Sequence, residues 1–172
     1  MFIFAPSFVV EKINMAGPLV SILLPGDPRG KGRPRFRVIR PKGGGAPFAS
    51  VYTDAETAAY EAALAKEGNA CWAGRAPLDG ALTCFVEAFM PIPASWSNKK
   101  RAAASVGSIF PVGKPDGDNI QKCVGDALNK IIWVDDSQII MWQCLKLYSD
   151  FPRLRVSVWL WDDVPDTEPE LL

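Results

Sequence analysis

Apolar residues recur along this chain in two rhythms. From Leu154 to Trp161 they alternate, with Leu154, Val156, Val158 and Leu160 set against Arg155, Ser157, Trp159 and Trp161, the two-residue period of a strand. Leu19 to Leu24, rich in Val, Ile and Leu and closed by Pro25-Gly26, predicts a buried strand. Ala81 to Met90 places Leu82, Cys84, Val86 and Ala88 on one face before Pro91 and Pro93 break the pattern. Ile131 to Val134 and Gln138 to Tyr148 predict two further strands, with Asp135-Asp136 in the turn between them. From Asp118 to Asn129 the period lengthens. Ile120, Cys123, Val124, Ala127 and Leu128 fall at i, i+3, i+4, i+7 and i+8, the buried stripe of an amphipathic helix. Thr53 to Glu56 fits a capping box opening an alanine-rich helix to Glu67, which Gly68-Asn69 would end. Ser95 to Ala104 predicts a short helix carrying Lys99, Lys100 and Arg101, with Trp96 packed beneath it.

These elements predict an α+β fold: a small mixed sheet of about four strands packed with two to three helices. The 172 residues, 48% hydrophobic and 22% charged, suit one soluble domain, placed at residues 19–161 between an N-terminal extension (1–18) and a flexible acidic tail (162–172). Met1 to Val10 is apolar but lacks a positive leader and stops at Glu11-Lys12, so neither export signal nor membrane span is expected, and Met15 is an alternative start. Cys71, Cys84, Cys123 and Cys144 form no C-x-x-C pair, which points to free, buried thiols in a reducing, cytoplasmic setting. The chain has no histidine, excluding Ser-His and Cys-His nucleophile pairs, a histidine general base and His-ligated zinc. Any catalysis must use carboxylates, lysine or a metal, and no small-molecule cofactor is implied.

The formal net charge is zero, yet the charges are segregated. Arg29, Lys31, Arg33, Arg35, Arg37, Arg40 and Lys42 follow one another without an acid, interleaved with Gly30, Gly32, Pro34, Pro41 and Gly43 to Gly45. Residues 26–50 therefore read as a mobile basic loop, a backbone-tracking arm for nucleic-acid phosphates. Lys99, Lys100 and Arg101 form a second, smaller basic patch. Trp133, Trp142, Trp159 and Trp161 are read as core or interface.

Asp116, Asp118, Asp126, Asp135 and Asp136 crowd into 21 residues. Carboxylate oxygens are the preferred ligands of hard cations, and so many acids without one would repel each other. Pro115 biases the chain towards extended geometry, so Asp116 and Asp118 would project the same way, with Asp118 as the N-cap of the following helix. Lys122 would share a polar stripe with Asp118 and Asp126, one turn from the site, able to neutralise charge on a phosphate or protonate a leaving oxygen. Asp135 and Asp136 could complete the ligand set. Taken singly, Asp118 is more often a plain cap than a ligand, and Lys122 with Asp126 more often a surface ion pair of little energetic weight. An EF-hand does not fit, because Ala127 stands where its glutamate belongs.

The runs Lys114-Pro-Asp-Gly-Asp-Asn-Ile-Gln-Lys122, Asp126-Ala-Leu-Asn129 and Val134-Asp-Asp-Ser-Gln-Ile139 resemble the signature of RusA-type Holliday junction resolvases, as do Gly30-Lys-Gly-Arg-Pro-Arg-Phe36, Tyr52-Thr53, Tyr60-Glu61 and Pro91-Ile-Pro-Ala-Ser-Trp96. The resemblance covers most of residues 19–160. It implies a homodimeric, Mg2+-dependent endonuclease, often phage- or prophage-borne, that cuts four-way DNA junctions by paired nicks. It places the metal ligands on Asp116, Asp118 and Asp136, with Asp135 the neighbouring acid, and the catalytic lysine on Lys122. Gly117 and Lys130 depart from the family pattern, in which the first is commonly bulky and the second often glycine. A nuclease for other branched DNA, or a non-catalytic junction-binding protein with a structural ion, remain the competing expectations.

Overall fold

The computed structural model describes residues 17–32, 35–52 and 54–161. The extension before residue 17, the tail after residue 161, Arg33, Pro34 and Thr53 lie outside that description, as do the side chains of Arg35, Val51 and Tyr52. The element order is β1 (Val20–Pro25), β2 (Arg35–Ile39), β3 (Phe48–Tyr52), α1 (Ala55–Trp72), β4 (Leu82–Pro91), α2 (Asn98–Ser105), α3 (Gly117–Leu128), a single 3-10 turn (Asp136–Gln138), β5 (Ile139–Ser149) and β6 (Arg153–Leu160).

A four-stranded mixed sheet has the order β1-β6-β4-β5, antiparallel except for the parallel pair β4 and β5. The α+β expectation holds. One sheet face is the core: Val20, Ile22 and Leu24 of β1, Leu154, Val156 and Val158 of β6, and Leu82, Cys84, Val86 and Ala88 of β4 are all buried. Leu64 and Trp72 of α1 and Ile120, Val124 and Leu128 of α3 close over them. The period-2 and period-3.6 stripes meet because each hides its apolar side only against the other. On the opposite face the row Leu23, Arg155, Glu87, Leu145 crosses all four strands, with Leu23 and Leu145 exposed.

Several local expectations are corrected. Residues 26–50 are not all loop, for β2 and β3 pair as an antiparallel hairpin with Phe36, Val38 and Phe48 exposed. The arginine-proline-glycine composition hid short strands that belong to no buried face. Helix α1 is capped by Asp54, whose Oδ1 accepts from the Thr57 amide at 3.0 Å, rather than by Thr53. It runs through Gly68-Asn69 to Trp72 and ends at Ala73, whose φ of 52° is left-handed. Gly68 is a contact instead of a stop: a Cβ there would lie 2.6 Å from Leu128 Cδ2, so its absence lets α1 and α3 approach.

Ile131 to Val134 is not a strand. Lys130 turns with φ 64°, and Trp133 makes only single bridges to Leu78 and Asn129 while Ile132 and Trp133 fill the core. Where the family pattern often carries glycine, a left-handed residue explains the preference. The short basic helix is confirmed as α2, capped by Ser97, with Trp96 edge-on to Tyr148 at 5.2 Å. All four cysteines are free, but Cys71 is exposed, against the expectation of burial. Burial pushes the thiols of Cys84 and Cys144 up and that of Cys123 up to about 12, so none offers a thiolate at neutral pH.

Candidate active site

Helix α3 begins between the two acids thought to share an extended segment. Asp116, at φ −72° and ψ 148°, is its N-cap, and Asp118 lies in its first turn, so the cap falls two residues earlier than expected. The Asp116 side chain makes no capping hydrogen bond, leaving its carboxylate unspent at the positive end of the helix dipole. Because the chain turns helical at Gly117, the two acids do not share an extended segment: Asp116 lines one cleft and Asp118 a second.

The larger cleft, of about 450 Å³, is lined by Asp116, Lys114, Arg29, Lys31 and Asn119 among others. Its far wall is the glycine loop after β1, pinned where the Lys31 amide donates to Asn119 O at 2.7 Å. A Cβ on Gly30 would sit 2.9 Å from Asn119 Cβ, and one on Gly32 2.3 Å from Asp54 Oδ2, so both glycines allow the loop to lie against the starts of α3 and α1. Lys146 of β5 donates to the carbonyls of Gly113 and Pro115 at 2.6 and 2.9 Å, holding the segment that delivers Asp116.

The smaller cleft, of about 210 Å³, brings together Asp118, Gln121, Lys122, Asp136 and Trp142. Lys122 Nζ pairs with Asp118 Oδ2 at 3.2 Å, both groups about two-thirds exposed, so the pair contributes little to stability and stays free to exchange partners. Asp136 lies over α3 at Gly125, where a Cβ would come within 3.3 Å of its Oδ2. Asp136 and Asp116 make no side-chain hydrogen bond or ion pair with other described residues.

Asp135 is occupied differently. Its Oδ1 accepts from the Ser137 amide at 3.1 Å, and Gln138 Oε1 accepts from the Asp135 amide at 3.0 Å, a reciprocal cap on the 3-10 turn. The bonds from Ser137, aided by Lys130, hold its carboxyl below the usual range. Gln138 Nε2 also donates to Asp79 Oδ1 at 2.8 Å, anchoring the turn that carries Asp136.

The basic residues divide in the same way. Lys31 is drawn inward to Glu61 at 2.6 Å and Asp126 at 2.7 Å, so Asp126 faces Lys31 and not Lys122. Although burial opposes the charge, the hydrogen bonds that Lys31 donates to Asp126 and Glu61 raise its ammonium above its ordinary value. Arg29 pairs with exposed Glu56 at 2.5 Å, and Arg101 with Asp150 at 3.3 Å. Lys100 sits 3.7 Å above the Trp96 ring, Lys99 is exposed, and Arg37 stands exposed on β2. Among the described residues no three acidic, cysteine or histidine side chains draw close enough to form a ready-made metal cluster.

Residues 25–159 match the family model for endodeoxyribonuclease RusA. The chain belongs to the RusA endodeoxyribonuclease family. This span covers most of the chain and both clefts. A relative, the uncharacterized protein YqaN of Bacillus subtilis (strain 168), is 41% identical over 83 residues, 47% of this chain and 58% of the relative, so the match spans less than two thirds of that protein. No helix among the described residues is long and apolar enough to cross a membrane.

Sequence reasoning had passed over Lys146, Gly125 and Gln138 as supports of this RusA site. Gln138 was findable, since Asp-x-x-Gln is a capping pattern. Lys146 left no local signal, because its partners lie more than thirty residues away.

Proposed function

We propose that this RusA-family protein is a homodimeric, Mg2+-dependent endonuclease that resolves four-way DNA junctions by paired phosphodiester hydrolysis. The observation that carries the reading is the cleft where Asp118, Lys122 and Asp136 meet, with Asp116 capping the helix that carries Asp118, in a chain of an endodeoxyribonuclease family. The donor set fits a hard cation, being all carboxylate, with Asp116 unspent in capping and Asp118 opposed only by an exposed lysine. Asp116, Asp118 and Asp136 would hold Mg2+, while Asp135 positions the turn. When bound, Mg2+ supplies charge that polarises the phosphodiester and makes nearby water more acidic.

The chain's own residues account for the rest. In the hydrolysis the water oxygen joins phosphorus, one bridging P–O bond breaks, and a proton goes to the departing oxygen. Lys122, released from Asp118, presents an ammonium where negative charge grows and where that proton is needed. Arg29 and Lys114 in the larger cleft neutralise a flanking phosphate, while Arg37 on β2 and Lys99, Lys100 and Arg101 at α2 offer further positive charge; Arg33 and the Arg35 side chain lie outside the described residues. Lys31, committed to Glu61 and Asp126, shapes the cleft wall more than it grips DNA.

The test is cleavage of four-way, forked and linear DNA with Mg2+ or EDTA by the parent and by Asp118→Asn. The reading expects Mg2+-dependent paired nicks in the four-way substrate, lost in Asp118→Asn while junction binding survives. Equal cutting of forks would redirect the substrate assignment. Normal cutting by Asp118→Asn would overturn the site.

A further inference from the structure

We infer that the smaller cleft contains a nucleobase subsite, formed by Gln121 and Trp142, which receives the base next to the scissile phosphate and sets a cutting preference; the inference rests on the nuclease reading of the same cleft. At about 210 Å³ the cleft is smaller than the ~300 Å³ lower bound of ordinary small-molecule sites, so it suits one moiety of a larger ligand. Its lining is mixed in chemistry: Asp118, Lys122 and Asp136 are charged, while Gln121 and Trp142 are neutral. A phosphate suits the charged side chains with a cation, and a flat, uncharged, hydrogen-bonding group suits the neutral pair.

Trp142 is held for this role. It projects from β5 on the helix side of the sheet, packs against the core, and meets the buried Trp133 edge-on at 6.3 Å and 84°. Gly125 of α3 makes the room, since a Cβ there would lie 3.8 Å from Trp142 Cζ2 as well as 3.3 Å from Asp136 Oδ2. The same missing side chain therefore seats the acid and the indole together. Gln121 lies on α3, three residues from Asp118, and its amide finds no partner among the described residues. A side-chain amide offers a donor and an acceptor together, the combination that reads a base edge, and indole stacking is tolerant of base identity. Trp142 would give hold and Gln121 discrimination.

The experiment uses the full chain with Mg2+ and a set of four-way junctions carrying each of the four bases at positions flanking the cut. The parent is expected to favour one base at one flanking position by roughly tenfold, within the 5- to 150-fold range of a good base contact. Gln121→Ala should flatten the preference at that position alone. Trp142→Leu should slow cutting of every sequence, with Trp142→Phe recovering most of it. In EDTA, 2-aminopurine placed at that position should be quenched on binding by the parent and not by Trp142→Leu. A parent without preference, or one whose preference survives Gln121→Ala, overturns the inference while leaving the nuclease reading intact. A folded parent that cuts no branched DNA sinks that reading and takes the subsite with it.

Discussion

Lys146 Nζ donates to the carbonyl of Pro115 at 2.9 Å, one residue before Asp116, and the same ammonium reaches Gly113 at 2.6 Å. A strand residue thus fixes the loop that presents an acid to the cleft. Hydrogen bonds to charged groups are each worth ~1.5–3 kcal/mol, enough to hold a loop of three residues in one place.

Replacing this lysine separates positioning from chemistry. Lys146→Met should reduce cutting about 10- to 100-fold and raise the Mg2+ concentration for half-maximal rate, with junction affinity in EDTA little changed. Lys146→Arg should recover part of the loss. An unchanged Mg2+ dependence in Lys146→Met would show that the loop needs no such anchor.

Gly125→Ala should move stability and activity in opposite directions. Alanine is favoured over glycine inside a helix by ~1 kcal/mol, but its Cβ would crowd Asp136 Oδ2 at 3.3 Å. Thermal denaturation should show Tm held or raised, while a cleavage assay shows a loss of about tenfold or more. A fall in Tm with normal cutting would mean the glycine serves packing alone.

The ion pairs of Lys31 predict a dependence on alkaline pH. Its folded pKa is raised from 10.5, so the stability it contributes is complete below that value and disappears as pH rises through the higher folded value. The Tm difference between the parent and Lys31→Met should therefore be constant near neutrality and shrink above about pH 10.5. A difference that does not shrink would assign the effect to packing of the lysine stem.

Binding of Mg2+ should be visible without any DNA. At a hundred times its dissociation constant the ion adds ~2.7 kcal/mol to the folded state, on the order of 5–10 °C for a chain this long. Asp118→Asn and Asp136→Asn should each lose most of that shift in a thermal melt. A parent whose Tm ignores Mg2+ would argue that the ion arrives only with the DNA backbone.

What this sequence carried by itself was whatever depends on near neighbours. The alternation in β1, β4 and β6 and the stripe in α3 named the core, because a side chain's face follows from its position in a regular element. The crowding of Asp116, Asp118, Asp135 and Asp136 around Lys122 was likewise legible, since like charges that close demand an explanation wherever the chain goes. Short-range rules failed where a long-range contact outweighed them. Gly68 was read as a helix stop because glycine is flexible, yet it lies inside α1 because Leu128 of α3 needs its space. Ile132 and Trp133 looked like a strand because they are apolar, but their burial is met in an irregular turn. The division of the acids was also tertiary: Gly117 begins a helix, sending Asp116 to the basic cleft and leaving Asp118 with Asp136, which arrives from a turn eighteen residues later. Lys31 met Glu61 and Asp126, and Lys146 met Gly113 and Pro115, only once the chain had folded. Sequence spacing determines direction within an element, whereas packing between elements decides which charges come within reach of one another.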